Sequence, residues 1–599
     1  METTSAATQA QSHPNTDIPN EHAPARRPCV SVRSLTFSDG TEISVGADDV
    51  VLIVGPNNAG KSAALRAIRD KLQNAAHVSP VVLTVQTIRT GNMEEFNDWL
   101  SGWAVRVLGS APDNPQFQAL GYAVHQSQAR ADWSRADQSL GTLTRWFCHL
   151  LSADERLQIC NPPNNIALAR DNPIHPIHFL LRDDKLELSL SAKFKKAFGV
   201  DLVVHRNAGN QIPVHVGERP ISLPGEDRVS IGYVERLERL PTLHTQGDGM
   251  RSFAGVLLAT SVGRENILLI DEPEAFLHPP QARLLGSTLA QERGEERQLF
   301  IATHSTDILR GVLNTESSKV KVIRIQRSGT NNAVCLLSNE RIKELWGDPL
   351  LRYSNILDGL FHESVVVCES DSDCRFYASV LDATLAGKGD DVKRPDLMFT
   401  HCGGKARLAM VIRALREVDV PVKAVADFDV LSNEEPLKSI AEALGLDWST
   451  IQTDWKIVKA AVDAKKPDLT TKDVQEEIGK ILGSVTDSSF PQKAKADIQG
   501  VLKRSSAWAH AKQVGKAFVP PGDPTKACER LLAALRAAGL HVVEVGELEG
   551  YVRTEGRHGP KWVNAVLERP LASDPELESA RQFVARLASQ DQRAGEAQS

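Results

Sequence analysis

The chain has 599 residues, more than one hydrophobic core usually organises, so we expect roughly two to four domains. Hydrophobic residues make up 41% of the sequence and charged residues 24%, which is typical of a globular protein and excludes a largely disordered or membrane-embedded chain. Because the net charge is −7, the molecule as a whole is not a binder of polyanions, and a nucleic-acid site would have to be a local basic patch.

The beginning of the chain and its cysteines limit where the protein works. Residues 1–27 have no basic start and no apolar core, so we expect a disordered tail rather than a secretory signal. No stretch approaches the roughly 18 uncharged apolar residues that a membrane helix needs. The eight cysteines form no C-x-x-C pair, which argues against a zinc site and fits a reducing compartment. We therefore expect a soluble cytoplasmic protein.

A predicted hairpin, strand and helix follow the tail. Residues 29–45 alternate apolar and polar side chains around an Asp39-Gly40 turn, a pattern that predicts a β-hairpin. The continuous apolar run Val50–Val54 predicts a buried strand, and the periodicity of Ser62–Leu72 predicts a helix. A strand that leads into a helix is the setting in which a phosphate-binding loop works.

The loop between that strand and helix has the pattern G-x-x-x-x-G-K-S. Gly55, Asn58 and Gly60 would let backbone N–H groups curl around phosphate oxygens at the N-terminus of the helix. Lys61 would neutralise the β- and γ-phosphates, and the Ser62 hydroxyl would bind Mg²⁺. A chance glycine-rich turn is the alternative, and the flanking strand and helix argue against it.

Two further pieces of a nucleotide site lie much later in the chain. The apolar run Ile267–Ile270 predicts a strand that ends in Asp271 and Glu272. Asp271 would hold Mg²⁺ through water, and Glu272 would orient a hydrolytic water. A second apolar strand leads to His304, which would place an imidazole near the γ-phosphate. A histidine at a strand end is often structural, but its position after the acidic strand favours the functional role.

The order of these pieces resembles that of the ABC-type ATPases. The segment TQGDGMRSFAGVL, just before the acidic strand, is similar to the signature segment of that family and would make Gly249 and Ser252 nucleotide contacts. A plain loop at the start of a helix is the alternative. In that family the signature of one subunit caps the nucleotide held by another, so the resemblance implies ATP with one Mg²⁺ between two heads, and at least a dimer.

Residues 92–230 separate the two halves of the predicted nucleotide site and indicate no chemistry of their own. We interpret them as a helical or mixed insertion that lengthens a dimer contact. His175 and His178 lie in a Pro-rich stretch without metal-ligand spacing, so a solvated loop is expected there. Residues 28–355 together are expected to form the ABC-type ATPase domain.

Acidic residues crowd after two predicted strands in the second half. The apolar strand Val365–Cys368 is followed by Glu369, and Asp373 falls in the first turn of the next helix. An aspartate there also caps a helix, which gives Asp373 a structural alternative. A second apolar strand ends in Asp427 and Asp429, whose spacing would point both carboxylates to one side of the strand.

Four acids at strand ends would repel each other unless divalent cations lay between them. Carboxylate oxygens suit Mg²⁺ or Mn²⁺. Cleavage of a phosphodiester uses two such ions about 3.5–4 Å apart, so the pattern predicts a two-ion site. A solvated acidic rim is the alternative, and it is disfavoured because each pair of acids ends an apolar strand, where ligands collect in α/β sheets.

The glutamate after one strand and the D-x-D after a later one resemble the TOPRIM fold of topoisomerases, primases and related nucleases. A P-loop ATPase followed by TOPRIM is similar to the OLD (overcoming lysogenisation defect) family, nucleases tied to antiphage defence. The resemblance covers the chain from about Cys29 onward. Here Ser370 stands where that family often has glycine, at a place where the backbone is expected to turn sharply.

The same resemblance implies further site residues. Glu549 would complete the metal site, with Glu547 as its rival, and Lys561 would stabilise the pentavalent phosphate. Lys405, in the segment HCGGK, would contact phosphate or DNA. The expected catalytic residues are Glu369, Asp373, Asp427, Asp429, Glu549 and Lys561, and all of these except Lys561 are expected metal ligands.

Residues 432–538 look largely helical and are interpreted as an insertion in a TOPRIM domain that spans residues 356–599. The insertion is locally basic, through Lys493, Lys495, Lys503, Arg504, Lys512 and Lys516. Lys503 and Arg504 are expected to contact DNA, which would make binding strongly salt-dependent, although lysines on a helix are usually only a solvated face. Trp508 is expected to pack rather than to stack on a base.

The sequence thus predicts an α/β chain in which an ABC-type P-loop ATPase domain precedes a TOPRIM domain. We interpret it as an ATP-responsive endonuclease for double-stranded DNA that uses Mg²⁺ or Mn²⁺ and acts as a homodimer or larger assembly. A non-cleaving ATP-driven DNA clamp is the main alternative. A topoisomerase or primase is disfavoured, since Tyr353, Tyr377 and Tyr551 lie in no context for a nucleophile. The sequence leaves open whether ATP is hydrolysed and whether a helicase or a retron is a partner.

Overall fold

The computed structural model describes residues 27–589, apart from residues 121, 169–170, 172, 264, 292–295, 316–318, 329–330, 338–354, 388–393, 466–468, 486–488 and 505–506. All of the predicted tail except Arg27 lies outside the described residues, as does Tyr353. In the part of the chain that is described, no helix is both long enough and apolar enough to cross a membrane.

A six-stranded sheet organises the described part of the first half. Its strand order is Asn331–Leu337, Val320–Ser328, Val50–Val54, Gln298–Ala302, Ile267–Asp271 and Cys148–Leu151. The strands run parallel, except that Asn331–Leu337 is antiparallel to its neighbour. Both faces of the sheet are covered, which is why its inner strands are continuous apolar runs. The buried strands predicted around Val50–Val54 and Ile267–Asp271 are confirmed.

Smaller sheets and helices surround that sheet. The predicted hairpin is confirmed as Cys29–Phe37 and Glu42–Ser44, and Val82–Thr90 adds a third strand. Two further small sheets contain Val105–Arg106, Gln116–Ala119 and Tyr122–His125, and Asp201–Val204 with Val214–Gly217. The helices are Lys61–Gln73, Met93–Trp103, Gln126–Trp133, Thr144–Phe147, Ala153–Gln158, Pro176–Arg182, Asp184–Phe198, Ile231–Glu238, Asp248–Val262, Pro279–Gln291 and Thr306–Leu313.

The second half is also α/β. Its parallel sheet has the strand order Leu397–His401, Ser364–Cys368, Val422–Ala426 and Leu540–Val542. The helices are Asp371–Ala386, Leu408–Glu417, Glu434–Ala443, Trp448–Asp463, Thr471–Gly483, Gln492–Arg504, Ala507–Val514, Asp523–Ala538, Pro560–Leu567 and Glu578–Ala588. Between the third and fourth strands the described chain is helical, as the sequence predicts. Trp508 packs against the core and donates a hydrogen bond to Asp463, so the prediction that it packs is confirmed.

Region 92–230 is more closely joined to the ATPase sheet than an insertion would be. Its strand Cys148–Leu151 pairs in parallel with Ile267–Asp271 and forms one edge of the central sheet. The expectation of a solvated loop at His178 is wrong, because that side chain is buried in helix Pro176–Arg182 and its Nε2 lies 2.9 Å from the Asn164 carbonyl oxygen. His175 begins the same helix as its N-cap.

The two halves share one continuous hydrophobic core and a buried arginine between them. Arg324, on a strand of the first sheet, donates hydrogen bonds to the carbonyl oxygens of Leu360 (3.3 Å), His362 (3.0 Å) and Asp419 (2.7 Å). A buried guanidinium that is saturated with carbonyl acceptors fixes the position of the segments that supply them. The first sheet is therefore held directly against the start of the second half.

Candidate functional site

The phosphate loop joins the first buried strand to the helix after it. Gly55 (φ 147°), Asn58 (φ 65°) and Gly60 (φ 100°) all have left-handed backbone conformations. A Cβ atom at Gly55 would lie 2.1 Å from the Ile325 carbonyl oxygen, so the neighbouring strand requires glycine there. The loop leads the chain into the helix N-terminus, where free N–H groups favour phosphate.

Lys61 and Ser62 lie at the start of that helix and have different partners. Lys61 Nζ donates hydrogen bonds of 2.8 Å to the carbonyl oxygens of Gly55 and Pro56. Burial lowers the pKa of Lys61, against the opposing effect of nearby carboxylates. The Ser62 hydroxyl donates to Asp271 Oδ1 at 2.8 Å. The phosphate loop and the acidic strand therefore meet, and this pair would hold the magnesium ion of a bound nucleotide while Lys61 would take its phosphates.

Arg156, which the sequence analysis did not identify, supports the acidic pair. It is fully buried, and it donates hydrogen bonds to the backbone carbonyl oxygens of Asp271 (2.6 Å) and Glu272 (3.0 Å) and to the Ser252 hydroxyl (3.2 Å). Burial lowers its pKa, and the carboxylates of Glu274, Asp271 and Glu272 oppose that effect. Arg156 lies in region 92–230, and nothing in its local pattern distinguishes it from an exposed helix residue.

The signature-like segment lies against its own chain. Ser252 is fully buried on the inward face of helix Asp248–Val262, and its hydroxyl accepts a hydrogen bond from Arg156 of the same chain. Its contact with a nucleotide held by a second subunit stays a prediction. Gly249 lies at the start of that helix, and a Cβ atom there would be 2.8 Å from the Phe276 carbonyl oxygen. At Gly249 the backbone therefore lies close to its own chain, and the nucleotide contact of Gly249 stays a prediction.

His304 lies beside the acidic pair, as the order of motifs predicts. Its Nδ1 is 3.4 Å from Glu272 Oε1 and 3.3 Å from Glu274 Oε1. Glu274, another residue that the sequence analysis missed, is buried and accepts hydrogen bonds from the Thr303 hydroxyl (2.8 Å) and the His304 backbone N–H (2.9 Å). Burial raises the pKa of Glu274. Glu274 therefore positions the histidine.

A cavity of about 370 Å³ opens beside the phosphate loop. It is lined by Lys61, Ser62 and Glu272, and also by Arg66 and Asn332, which the sequence analysis did not single out. Its volume falls within the range of about 300–1,000 Å³ that is usual for small-molecule sites. The cavity can therefore accept a nucleotide whose phosphates lie on the loop.

We expect Arg156→Met to lower the free energy of unfolding by about 2–3 kcal/mol, because it leaves buried carbonyl oxygens without donors. The measurement is the midpoint of urea unfolding, followed by tryptophan fluorescence. Arg135→Met, at a half-exposed arginine, is the matched control and should shift the midpoint little. Equal midpoints for the two variants would show that the contacts of Arg156 are dispensable.

The second sheet brings its acids to one edge. Glu369, Asp427 and Glu547 each follow one of three adjacent parallel strands, and the carboxyl ends of such strands meet at the same edge. Glu369 Oε1 accepts a hydrogen bond of 3.2 Å from the backbone N–H of Asp427. We call Glu369, Asp427, Asp429 and Glu547 the acid edge.

Asp427 and Asp429 reach that edge through a turn, and the prediction that they extend a strand is wrong. The strand ends before Asp427, which begins the 3₁₀ turn Phe428–Ser432. Within this turn Asp427 Oδ2 lies 2.7 Å and Asp429 Oδ1 lies 4.0 Å from Lys512 Nζ, so both carboxylates still face one side. Phe428 between them is fully buried, as expected.

Crowding and burial raise the pKa values of the acid edge. Burial and the Asp427 carboxylate raise the pKa of Glu369 to about 7. Burial and Glu549 raise the pKa of Glu547 to about 7. Burial raises the pKa of Asp427 to about 6, even though Lys512 opposes the rise. These carboxyl groups are crowded enough that a nearby cation would favour their ionised forms.

Two lysines supply part of the missing positive charge. Lys405 Nζ lies 2.7 Å from Asp429 Oδ2, so the lysine that was predicted to contact DNA is paired with a carboxylate of the acid edge. Lys512 Nζ is also 4.0 Å from Glu547 Oε2. Although burial lowers the pKa of Lys512, the carboxylates of Asp427 and Asp429 raise it above the usual lysine value.

Asp373 caps a helix beside the acid edge. Its Oδ2 accepts a hydrogen bond of 2.8 Å from the Ser370 backbone N–H, and its own backbone N–H donates to the Ser370 hydroxyl oxygen at 3.4 Å, so the two residues form a capping box. Asp373 therefore has the helix-capping role that was the alternative to metal binding, and its role as a metal ligand stays a prediction. The chain bends at Glu369 and Ser370, and Ser370 has a φ of −135°, which a residue with a side chain adopts without strain.

The other residues predicted for this site are Glu549, Lys561, Lys503 and Arg504. Glu549 Oε1 accepts a hydrogen bond of 2.8 Å from the Gly559 backbone N–H, whereas its rival Glu547 reaches the acid edge. Lys561 is exposed at the start of helix Pro560–Leu567. The side chains of Lys503 and Arg504 lie outside the described part of the structure.

The carboxylate groups of the acid edge are suitable ligands for a divalent ion, but they are not arranged so that several of them surround one position. Within the described ranges, no group of three or more His, Cys, Asp or Glu side chains is placed to hold a metal ion. Asp429 Oδ1 is nevertheless buried and accepts no hydrogen bond, so one carboxylate oxygen is left for a cation. Carboxylates around such an orphaned oxygen fit Mg²⁺ or Mn²⁺ chemically.

Comparison with known proteins supports the first half most directly. Residues 156–310 match the family described as "AAA domain, putative AbiEii toxin, Type IV TA system". That span includes Arg156, the acidic pair and His304, and it begins after the phosphate loop. The chain therefore has an α/β fold that contains a P-loop ATPase domain.

Individual proteins match shorter parts or match weakly. The Old nuclease of Escherichia phage P2 is 22% identical over 173 residues, which are 28% of this chain and 28% of that nuclease. An uncharacterized protein of Methanocaldococcus jannaschii is 29% identical over 103 residues, 16% of this chain and 90% of that one. A solved SMC head bound to the C-winged helix domain of ScpA is 12% identical with a TM-score of 0.32, covering 52% of this chain and 99% of that chain.

Proposed function

We propose that this protein is an ATP-responsive, divalent-metal-dependent DNA endonuclease of the OLD kind, whose second half is a TOPRIM nuclease domain. It would act on double-stranded DNA, as a homodimer or larger assembly, in defence against phage or other foreign DNA. The observation that carries the proposal is the convergence of four carboxylates at one edge of a parallel sheet, in the same chain as a P-loop ATPase domain. The partial similarity to the Old nuclease supports it.

The chemistry follows from the side chains of the acid edge. Bound Mg²⁺ or Mn²⁺ ions, two in our proposal, would activate the attacking oxygen and stabilise the leaving oxygen of the phosphodiester. Asp427 and Asp429 would hold the metal from the 3₁₀ turn, and Glu369 would hold it from the neighbouring strand. Lys405, at the rim of the same edge, would neutralise a DNA phosphate as the strand enters.

Contacts between the halves support control by ATP. The hydroxyl of Thr306, two residues after His304, donates to the Asp358 carboxylate at the start of the second half. Arg324 ties the strand beside the phosphate loop to the carbonyl oxygens of His362 and Asp419. A nucleotide that moves His304 or the phosphate loop would therefore shift the segments beside the sheet of the second half.

A second candidate is a DNA-binding ATPase that does not cleave. The ion pairs of Lys512 with Asp427 and of Lys405 with Asp429 favour it, because they neutralise part of the acid edge without any metal. On this candidate the acids and lysines form a structural network. The two candidates differ in one observable, which is metal-dependent breakage of the DNA backbone.

The test is cleavage of supercoiled plasmid by the full chain with Mg²⁺ or Mn²⁺, with and without ATP. We expect nicked and then linear product that depends on the metal and is abolished by EDTA. Comparison of the reactions with and without ATP shows whether ATP increases or decreases cleavage. DNA binding without any product, under either metal, would overturn the nuclease and favour the non-cleaving ATPase.

A further inference from the structure

Lys512 lies at the centre of the acid edge. Its Nζ is 2.7 Å from Asp427 Oδ2 and 4.0 Å from both Asp429 Oδ1 and Glu547 Oε2. These three carboxylates come from loops that follow two different strands, so a single ammonium group lies where the loops converge. An ammonium group is a compact positive charge with three donors, and here it takes the place that a bound cation would take.

The backbone of Lys512 is tightly held. A Cβ atom on Gly546, whose φ is 112°, would lie 2.2 Å from the Lys512 carbonyl oxygen. Close by, the Lys516 backbone N–H donates a hydrogen bond of 2.8 Å to the Glu544 carbonyl oxygen. The helix that carries Lys512 is thus in backbone contact with the loop that carries Glu547. Rotation of the Lys512 side chain is therefore enough to move the ammonium group away from the carboxylates, with both backbones left in place.

The ammonium group also leaves one oxygen unsatisfied. Asp429 Oδ1 is buried and accepts no hydrogen bond, since Lys512 Nζ is too distant at 4.0 Å. The acid edge therefore has two close ion pairs, Lys512 with Asp427 and Lys405 with Asp429 Oδ2, while Asp429 Oδ1 and Glu547 are only partly compensated by Lys512.

We propose that Lys512 is a built-in counter-ion of the acid edge, and that a divalent cation binds there only by displacing the ammonium group from Asp427. The inference rests on the proposed function, because it assumes that the acid edge takes a metal. A divalent ion that coordinates Asp427 would lie within a few Å of the ammonium group, where two positive charges repel strongly. Once displaced, the tethered ammonium group would find a new partner in a DNA phosphate, so DNA would favour metal loading.

The test measures Mn²⁺ binding rather than cleavage. Mn²⁺ is titrated into nucleotide-free, DNA-free full-length protein by calorimetry, for the wild type, Lys512→Met and Lys516→Met. We expect Lys512→Met to bind Mn²⁺ about tenfold more tightly, because one opposing charge is gone. Lys516→Met is the matched control, with the same charge change in the adjoining turn, since Lys516 pairs with Glu529 and not with the acid edge. It should leave the affinity unchanged.

Thermal unfolding gives a second readout. Without metal, Lys512→Met should melt at a lower temperature than the wild type, and Mn²⁺ should restore the loss. If Lys512→Met does not fold, Lys512→Gln replaces it, because a neutral amide can still donate to Asp427. Unchanged or weaker Mn²⁺ affinity in the neutral variant, beside a wild type that binds Mn²⁺ and nicks plasmid, would overturn the counter-ion role alone. A wild type and variants that all fail to bind Mn²⁺ and to nick would overturn the proposed function as well.

Discussion

Replacing Asp427 with asparagine is expected to lower plasmid nicking by at least about 100-fold while DNA binding persists. Asp427 lies at the centre of the acid edge, 2.7 Å from Lys512 and hydrogen bonded through its backbone to Glu369. Asparagine keeps the shape of the side chain and removes the charge that a metal needs. Loss of an outer partner of a metal ligand costs about 10- to 100-fold, and loss of a ligand itself should cost more.

The matched control for this variant is Asp497→Asn, the same change at an exposed position of helix Gln492–Arg504. It should nick at the wild-type rate. Circular dichroism and gel-shift assays on both variants establish that fold and DNA binding are intact. A folded Asp427→Asn protein that nicks as fast as Asp497→Asn would remove the acid edge from the chemistry.

Replacing Lys61 with alanine is expected to weaken ATP binding by about 10- to 100-fold, the cost of one charged hydrogen-bonding partner. Lys61 is buried at the phosphate loop and donates hydrogen bonds to the carbonyl oxygens of Gly55 and Pro56. These are bonds that the β- and γ-phosphates would replace. The affinity is measured by titration with a fluorescent ATP analogue in the presence of Mg²⁺.

Nicking without nucleotide should be unchanged in Lys61→Ala, because the acid edge belongs to the other sheet. Any effect of ATP on nicking should disappear. Lys185→Ala, at an exposed lysine of helix Asp184–Phe198, is the control and should bind ATP like the wild type. An ATP affinity in Lys61→Ala equal to that of this control would contradict the phosphate-loop assignment.

Local patterns predicted the strand and the helix on either side of the phosphate loop. The apolar run Val50–Val54 and the glycines of the loop predict a buried strand and a helix start, and both are present. Such patterns are informative because each feature depends on neighbouring residues of the chain. A strand buried on both faces needs a continuous apolar run, and a left-handed turn favours glycine. The pairing of Ser62 with Asp271 followed from the order of motifs, although 209 positions separate the two residues.

Residues that act through long-range packing carried no signal in the sequence. Arg156 and Glu274 are a buried arginine and a buried glutamate whose neighbours in the chain look ordinary. Their importance comes from the carbonyl oxygens and N–H groups that the fold brings to them. Ser252 is a further case, since its motif gives no sign of the hydrogen bond that its hydroxyl accepts from the buried Arg156.

The sequence by itself determined the α/β class, the phosphate loop, the acidic strand with its histidine, and the presence of acids after neighbouring strands of the second half. Only the tertiary structure decided which groups neutralise those acids. Lys512 comes from a helical segment 83 positions after Asp429 and 35 before Glu547, yet it lies between the two carboxylates. The physical reason is that periodicity and spacing depend on the helix or strand in which a residue lies. The pairing of charges depends instead on which helices, strands and loops pack together.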